Sequence, residues 1–158
     1  MEVLHWARER RLRTFIEIKK GGKAYLGIEE AVLGEVESAR AASLSTIISF
    51  DFLTLRRLRQ LDATIALGLD FTRPRWALRR AKPIRATTLL PHWAFASRRL
   101  IRHAQASALQ VIVWHVDQPR AMRHKLLDGV DGIITRYPAK LAEVLAKLET
   151  EVPGWATK

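Results

Sequence analysis

Apolar residues in this chain gather into short runs rich in Ile, Val and Thr, each followed by a longer stretch in which they recur at helical spacing. The runs Thr14 to Lys19, Thr46 to Phe50, Thr64 to Leu69, Ala86 to Leu90, Gln110 to Val116 and Gly132 to Thr135 predict six strands alternating with helices. Asp51 stands where an N-cap belongs, ahead of a helix from Phe52 to Gln60. Pro91, Pro119 and Pro138 each take an early position of a following helix, where a missing N–H costs nothing. Leu141, Val144, Leu145 and Leu148 share one face of a last helix from Pro138 to Leu148, and Val152 to Lys158 reads as a loosely held tail. Val3, Leu4 and Trp6 predict a further helix before the first strand.

Strand, helix, strand units repeated in this way need a parallel sheet, because parallel neighbours require a crossover. A doubly wound open sheet and a (β/α)8 barrel both satisfy that rule. In the first strand Phe15, Glu17 and Lys19 share one face and Ile16 and Ile18 the other, so a carboxylate and an ammonium project together near its C-terminal end. Such a pair resembles a barrel mouth and favours the barrel. A complete barrel has eight strands and roughly 250 residues. The expectation is therefore a partial (β/α)8 TIM-type barrel of about six βα units with the first two strands missing, over residues 1–150, and a tail at 151–158. Unpaired edges in such a barrel predict self-association.

Composition narrows the chemistry. The 158 residues hold no cysteine, which removes disulfides and thiolate metal sites. No apolar run approaches the roughly 20 residues that cross a bilayer, and the N-terminal residues lack a signal-peptide core, so the chain is expected to be cytoplasmic, without a transmembrane segment. A net charge of +11 favours anionic partners. Its arginines are scattered, from Arg56, Arg57 and Arg59 to Arg98, Arg99 and Arg102, as on solvated helix faces. No helix-turn-helix, zinc finger or aromatic stacking motif supports specific nucleic-acid binding, and Gly21-Gly22-Lys23 lacks the spacing of a phosphate loop.

Three segments, in order, carry a resemblance. Phe15-Ile16-Glu17-Ile18-Lys19-Lys20 is a strand ending in Glu-x-Lys. Ile47-Ile48-Ser49-Phe50-Asp51 is a Ser-Phe segment entering a helix. Val113-Trp114-His115-Val116-Asp117 pairs with Gly129-Val130-Asp131-Gly132-Ile133-Ile134-Thr135. Together they resemble the glycerophosphodiester phosphodiesterase family, from about Glu2 to Leu148. The resemblance implies a metal-dependent barrel enzyme that cleaves a glycerophosphodiester to glycerol 3-phosphate and an alcohol. It implies Glu17 as a ligand of a divalent metal, Mg or Ca, and Lys19 as a basic catalytic-site residue facing the phosphate. Phe50 and Trp114 become aromatics lining the substrate pocket.

Those residue types suit the reaction. Charge grows on a phosphodiester under attack, so a hard cation held by carboxylate oxygens, with a lysine beside it, stabilises the transition state more than the ground state. The family's histidine followed by Arg-Gly, and its Glu-x-Asp pair, find no match in these residues, so a catalytically incomplete chain is expected. His115, Asp117 and Arg136 stand where the family usually has Thr, Asn and Asp. Alternation with Trp114 turns His115 toward the helices as a core or second-layer residue. His5 reads as an amphipathic-helix residue, Asp51 as an N-cap and Asp131 as a turn residue; His92 and His103 fall on one helix and His124 on another. A non-enzymatic binder of phosphate-bearing ligands or anionic surfaces is the alternative that the charge supports.

Overall fold

The computed structural model describes residues 2–19, 26–73, 76–152 and 154–155, and Gly21-Gly22-Lys23 lie outside the described residues. Six parallel strands alternate with helices, the βα repeat of a partial TIM-type barrel, and the chain divides into two compact units. The first comprises residues 1–70 and 76–87, the second 71–75 and 88–158.

In the first unit, α1 (Glu2–Glu9) leads into β1 (Thr14–Glu17), then α2 (Ile28–Ser38), β2 (Ser45–Ser49), α3 (Phe52–Leu61), β3 (Ala66–Phe71) and α4 (Ala77–Ala81). Strands β1 and β2 run parallel with Ile16 beside Ile47 and Glu17 beside Ile48. Strand β3 continues the row, with Ile48 beside Gly68 and Ser49 beside Leu69. Ile47 and Leu67 are fully buried on one face, which α3 covers with Leu55 and Leu58.

Helix α3 begins as predicted, because the Asp51 carboxylate accepts from the Leu53 amide at 3.2 Å and the Thr54 hydroxyl at 3.3 Å. It ends where Asp62 takes over. One oxygen of Asp62 accepts from the Thr64 amide at 2.6 Å, the Thr64 hydroxyl at 2.7 Å and the Ile65 amide at 3.1 Å. That turn holds Thr64 out of the ladder, so β3 starts at Ala66 and extends past the predicted Leu69 to Phe71. Arg59 stitches the same corner, donating to the carbonyls of Ile84, Asp62 and Ile65.

In the second unit, β4 (Thr88–Pro91), α5 (Arg98–Gln105), β5 (Gln110–Val113), α6 (Pro119–Asp128), β6 (Gly132–Ile133) and α7 (Pro138–Glu151) follow in order. Strand β5 pairs in parallel with β4 on one side and β6 on the other. Pro91 does not start a helix. It closes β4, and its carbonyl accepts from the Trp114 amide at 3.4 Å, while Ser97 caps α5 by accepting from the Leu100 amide at 3.2 Å. His92 accordingly sits at the entry of a short 3-10 turn over Trp93–Phe95, not on a helix with His103. Pro119 and Pro138 do open α6 and α7. Gly129 ends α6 at φ 92°, a left-handed turn that a side chain would strain.

Asp131 is more than a turn residue. Its carboxylate accepts from the Val111 amide at 2.7 Å and the Gln105 amide group at 3.1 Å, which fixes the entry of β6 beside β5. Beneath α5, Lys125 is buried and donates to the Ala96 carbonyl and the Asp128 carboxylate, each at 2.9 Å. Arg98 binds the other Asp128 oxygen at 2.7 Å, and these two cations hold Asp128 below its ordinary pKa against the burial that would raise it. Removing one partner of a buried ion pair leaves the other uncompensated. Lys125→Ala should therefore cost about 3 kcal/mol, a fall of roughly 6–12 °C in the thermal midpoint by calorimetry for a chain of this size.

Candidate functional site

Parallel strands in register turn paired residues to the same side, so Glu17, Ile48 and Gly68 form one row across β1, β2 and β3. On β3, Asp70 follows Gly68 by two and so shares its face, while Lys19 and Phe50 lie just beyond the last paired residues of β1 and β2. Glu17 and Lys19 are exposed, whereas Ile18 between them is buried. Phe50 is 47% exposed.

A serine fixes that arrangement. The Ser49 hydroxyl, fully buried, donates to the Ile18 carbonyl at 2.6 Å and accepts from the Asp51 amide at 3.0 Å. The Ile18 amide in turn donates to the Ile48 carbonyl at 2.9 Å. The last turn of β1 is therefore tied on both its polar groups to the segment that opens α3. Ser49 lies in the Ser-Phe segment that the sequence singles out, and its work is to hold the backbone between Glu17 and Lys19.

Sequence reasoning missed Asp70. Its residue is only 5% exposed, and Oδ2 is buried with no hydrogen-bond partner. Burial pushes its pKa up, and the Glu17 carboxylate adds to the effect, to about 7. Glu17 and Asp70 are thus two carboxylates that feel each other on one strand face. The signal was present in the alternation of Ala66, Gly68 and Asp70, but a strand ended at Leu69 leaves Asp70 outside it. Among the described residues no group of three or more His, Asp or Glu gathers as a metal cluster.

Trp114 belongs to the second unit. Its indole N–H donates to the Leu90 carbonyl at 2.7 Å, and its ring meets His92 edge-on with centroids 5.0 Å apart. His92 also lies 5.9 Å from the Trp93 ring and 6.0 Å from Phe95, and its Nδ1 accepts from the Ala94 amide at 3.3 Å. This aromatic group around His92 was not legible as long as Pro91 was read as a helix start. His115 is exposed and touches Trp114 edge-on at 5.7 Å, so it is not a core residue; β5 ends at Val113, and the alternation does not reach it.

Asp117 and Arg136, both departures from the resembled pattern, answer each other. Arg136 donates its Nε to Asp117 at 2.7 Å and its amide at 3.0 Å, and Thr135 adds a hydroxyl at 3.1 Å. The Arg136 amide and guanidinium hold the Asp117 carboxyl below its usual range, and the carboxylate raises the arginine. His5 lies half-buried on α1, while His103 and His124 are exposed on α5 and α6.

The model of the glycerophosphoryl diester phosphodiesterase family matches residues 2–140. A glycerophosphodiester phosphodiesterase of Caldanaerobacter subterraneus subsp. tengcongensis is 28% identical over 136 residues, covering 84% of this chain and 55% of the relative. The chain thus spans about half the length of the curated relative it matches. Among solved structures, a glycerophosphodiester phosphodiesterase of Parabacteroides distasonis superposes with TM-score 0.79 at 19% identity, over 91% of this chain and 62% of that one. An Oleispira antarctica phosphodiesterase, solved with the product sn-glycerol-3-phosphate, gives 0.78 at 18% identity over 92% and 60%. At such identities the structural likeness shows the fold.

The Asp70 proton has a thermodynamic consequence. Folded Asp70 keeps its proton to about pH 7, while in the unfolded chain it loses it near the ordinary 3.8. Below pH 4 both states are protonated and no penalty exists; between about 4 and 7 the unfolded state ionises first, and stability falls by up to about 4 kcal/mol. Urea unfolding of the chain in a chelator should show that decline, and Asp70→Asn should flatten it while matching the parent at pH 4. An unchanged slope in the variant would show that Asp70 ionises normally.

Proposed function

Because the chain belongs to the glycerophosphoryl diester phosphodiesterase family, we propose that the strand face bearing Glu17 and Lys19 is the phosphate-facing wall of a phosphodiesterase site. The reaction is hydrolysis of a glycerophosphodiester to glycerol 3-phosphate and an alcohol. The family is generally dependent on a divalent metal, and Glu17 is the residue here that would hold it, as Mg²⁺ or Ca²⁺. The observation that supports this reading most directly is that Glu17 and Lys19 lie two apart at one strand end, with the Ile18 backbone between them pinned by Ser49.

Each residue has a part that its chemistry suits. The Lys19 ammonium, three donors on a flexible stem, binds a non-bridging phosphoryl oxygen and gains strength as charge develops there. The Glu17 carboxylate presents hard oxygens on the same side. A divalent cation bound there supplies further positive charge to the same oxygens. Phe50 offers aromatic surface to the apolar edge of the glycerol or alcohol group. Trp114, whose plane the Leu90 carbonyl fixes, is the second aromatic that the family resemblance assigns to substrate. The residues contain no His-Arg-Gly, and we assign them no general acid or base. On this reading the chain alone turns over little substrate, and hydrolysis needs the family's histidine and its Glu-x-Asp pair.

Release of glycerol 3-phosphate from glycerophosphocholine, assayed with Mg²⁺ or Ca²⁺, should be weak or absent for the chain and present for a polypeptide extended upstream through the same reading frame. In the active form Glu17→Gln should lower metal-dependent turnover at least 100-fold, and Lys19→Met should lower kcat/KM by about 10²–10³ with little change in unfolding midpoint. Full activity in Glu17→Gln would remove the site from this face.

A further inference from the structure

We propose that Asp70 is a second carboxylate ligand, acting with Glu17, for a divalent cation held on the strand face of the first unit. The inference rests on the reading of Glu17 above and goes beyond it, because Asp70 lies outside the three segments that carry the resemblance.

Two observations converge. First, Asp70 is 5% exposed and its Oδ2 meets no donor, a condition that buried oxygens rarely keep in a folded protein without an ion or ordered water to satisfy them. Second, the register of β1, β2 and β3 puts Glu17 in one row with Gly68, and Asp70 follows Gly68 by two on β3, so the two carboxylates lie on the same face, one row apart.

Two carboxylates placed so repel each other, and the repulsion turns to attraction when a cation comes between them. Oxygen-only donors suit a hard ion. Mg²⁺ binds through one or two carboxylates and keeps several of its waters, so a two-carboxylate site fits it better than Ca²⁺, which takes six to eight oxygens. Lys19, two residues beyond Glu17, is the competing partner. An ammonium on Asp70 would satisfy Oδ2 without any metal, so the two possibilities predict different ion binding.

Mn²⁺, whose free-ion paramagnetic resonance signal disappears on binding, reports this directly in the full chain after chelator treatment. The expected result is one Mn²⁺ per chain, displaced by Mg²⁺, with affinity at least tenfold weaker in Asp70→Asn and in Glu17→Gln and largely restored in Asp70→Glu. Far-UV circular dichroism of each variant establishes that it is folded. Unchanged Mn²⁺ affinity in folded Asp70→Asn, with loss in Glu17→Gln, would overturn the role of Asp70 and leave that of Glu17 standing. No binding by the parent chain at millimolar Mn²⁺, or binding untouched by either variant, would overturn both.

Discussion

The Ser49 hydroxyl sits between two backbone groups that would otherwise be free to drift: the Ile18 carbonyl, at the end of the first strand, and the Asp51 amide, at the start of the helix after the second. Side chains on a strand alternate with a period of two, so a slip of one residue would send Glu17 and Lys19 under the helices and bring Ile16 and Ile18 out. Being buried, this bond does not exchange with water, and a backbone carbonyl left unsatisfied there would carry a penalty of roughly 1–3 kcal/mol. Every functional assignment on this face depends on that register. The same short segment then caps the helix through Asp51, so the fold and the site share their anchor.

Carboxylates in this chain are held in contrasting ways. Asp117, Asp128 and Asp131 are each met by donors: Arg136 and Thr135, Lys125 and Arg98, and the Val111 amide with Gln105. Those carboxylates are held by partners within the fold. Asp70 differs in kind, since it is buried, has one oxygen without a partner, and lies near a second carboxylate. Folded proteins leave few buried oxygens unsatisfied, and the ligand role proposed for Asp70 would give this one a partner. Asp117 and Arg136 show the complementary case, two charged groups that satisfy each other through a direct ion pair.

The βα repeat was legible because β-branched runs and helical spacing report burial directly. Helix starts were legible where a side chain makes the cap, as at Asp51, and where proline opens the helix, as at Pro119 and Pro138. Pro91 misled because a residue without an N–H is equally at home at the last position of a strand, where its carbonyl still serves. That one shift moved His92 from a helix into an aromatic cluster. Asp70 was hidden for a related reason: Asp62 draws Thr64 into a turn, β3 begins and ends two residues later, and its carboxylate falls inside the strand and not beyond its end. Hydrogen bonds between residues distant in sequence, such as Asp131 with Val111 or Arg59 with Ile84, leave no periodic trace.

Nuclear Overhauser contacts among assigned side chains test the shared face most directly. The account predicts cross-peaks between the Glu17 methylenes and the Ile48 methyls, and between the Lys19 methylenes and the Phe50 ring. Cross-peaks from Glu17 and Lys19 to the Ile47 and Leu69 methyls in their place would put both side chains on the helix-covered side and contradict it.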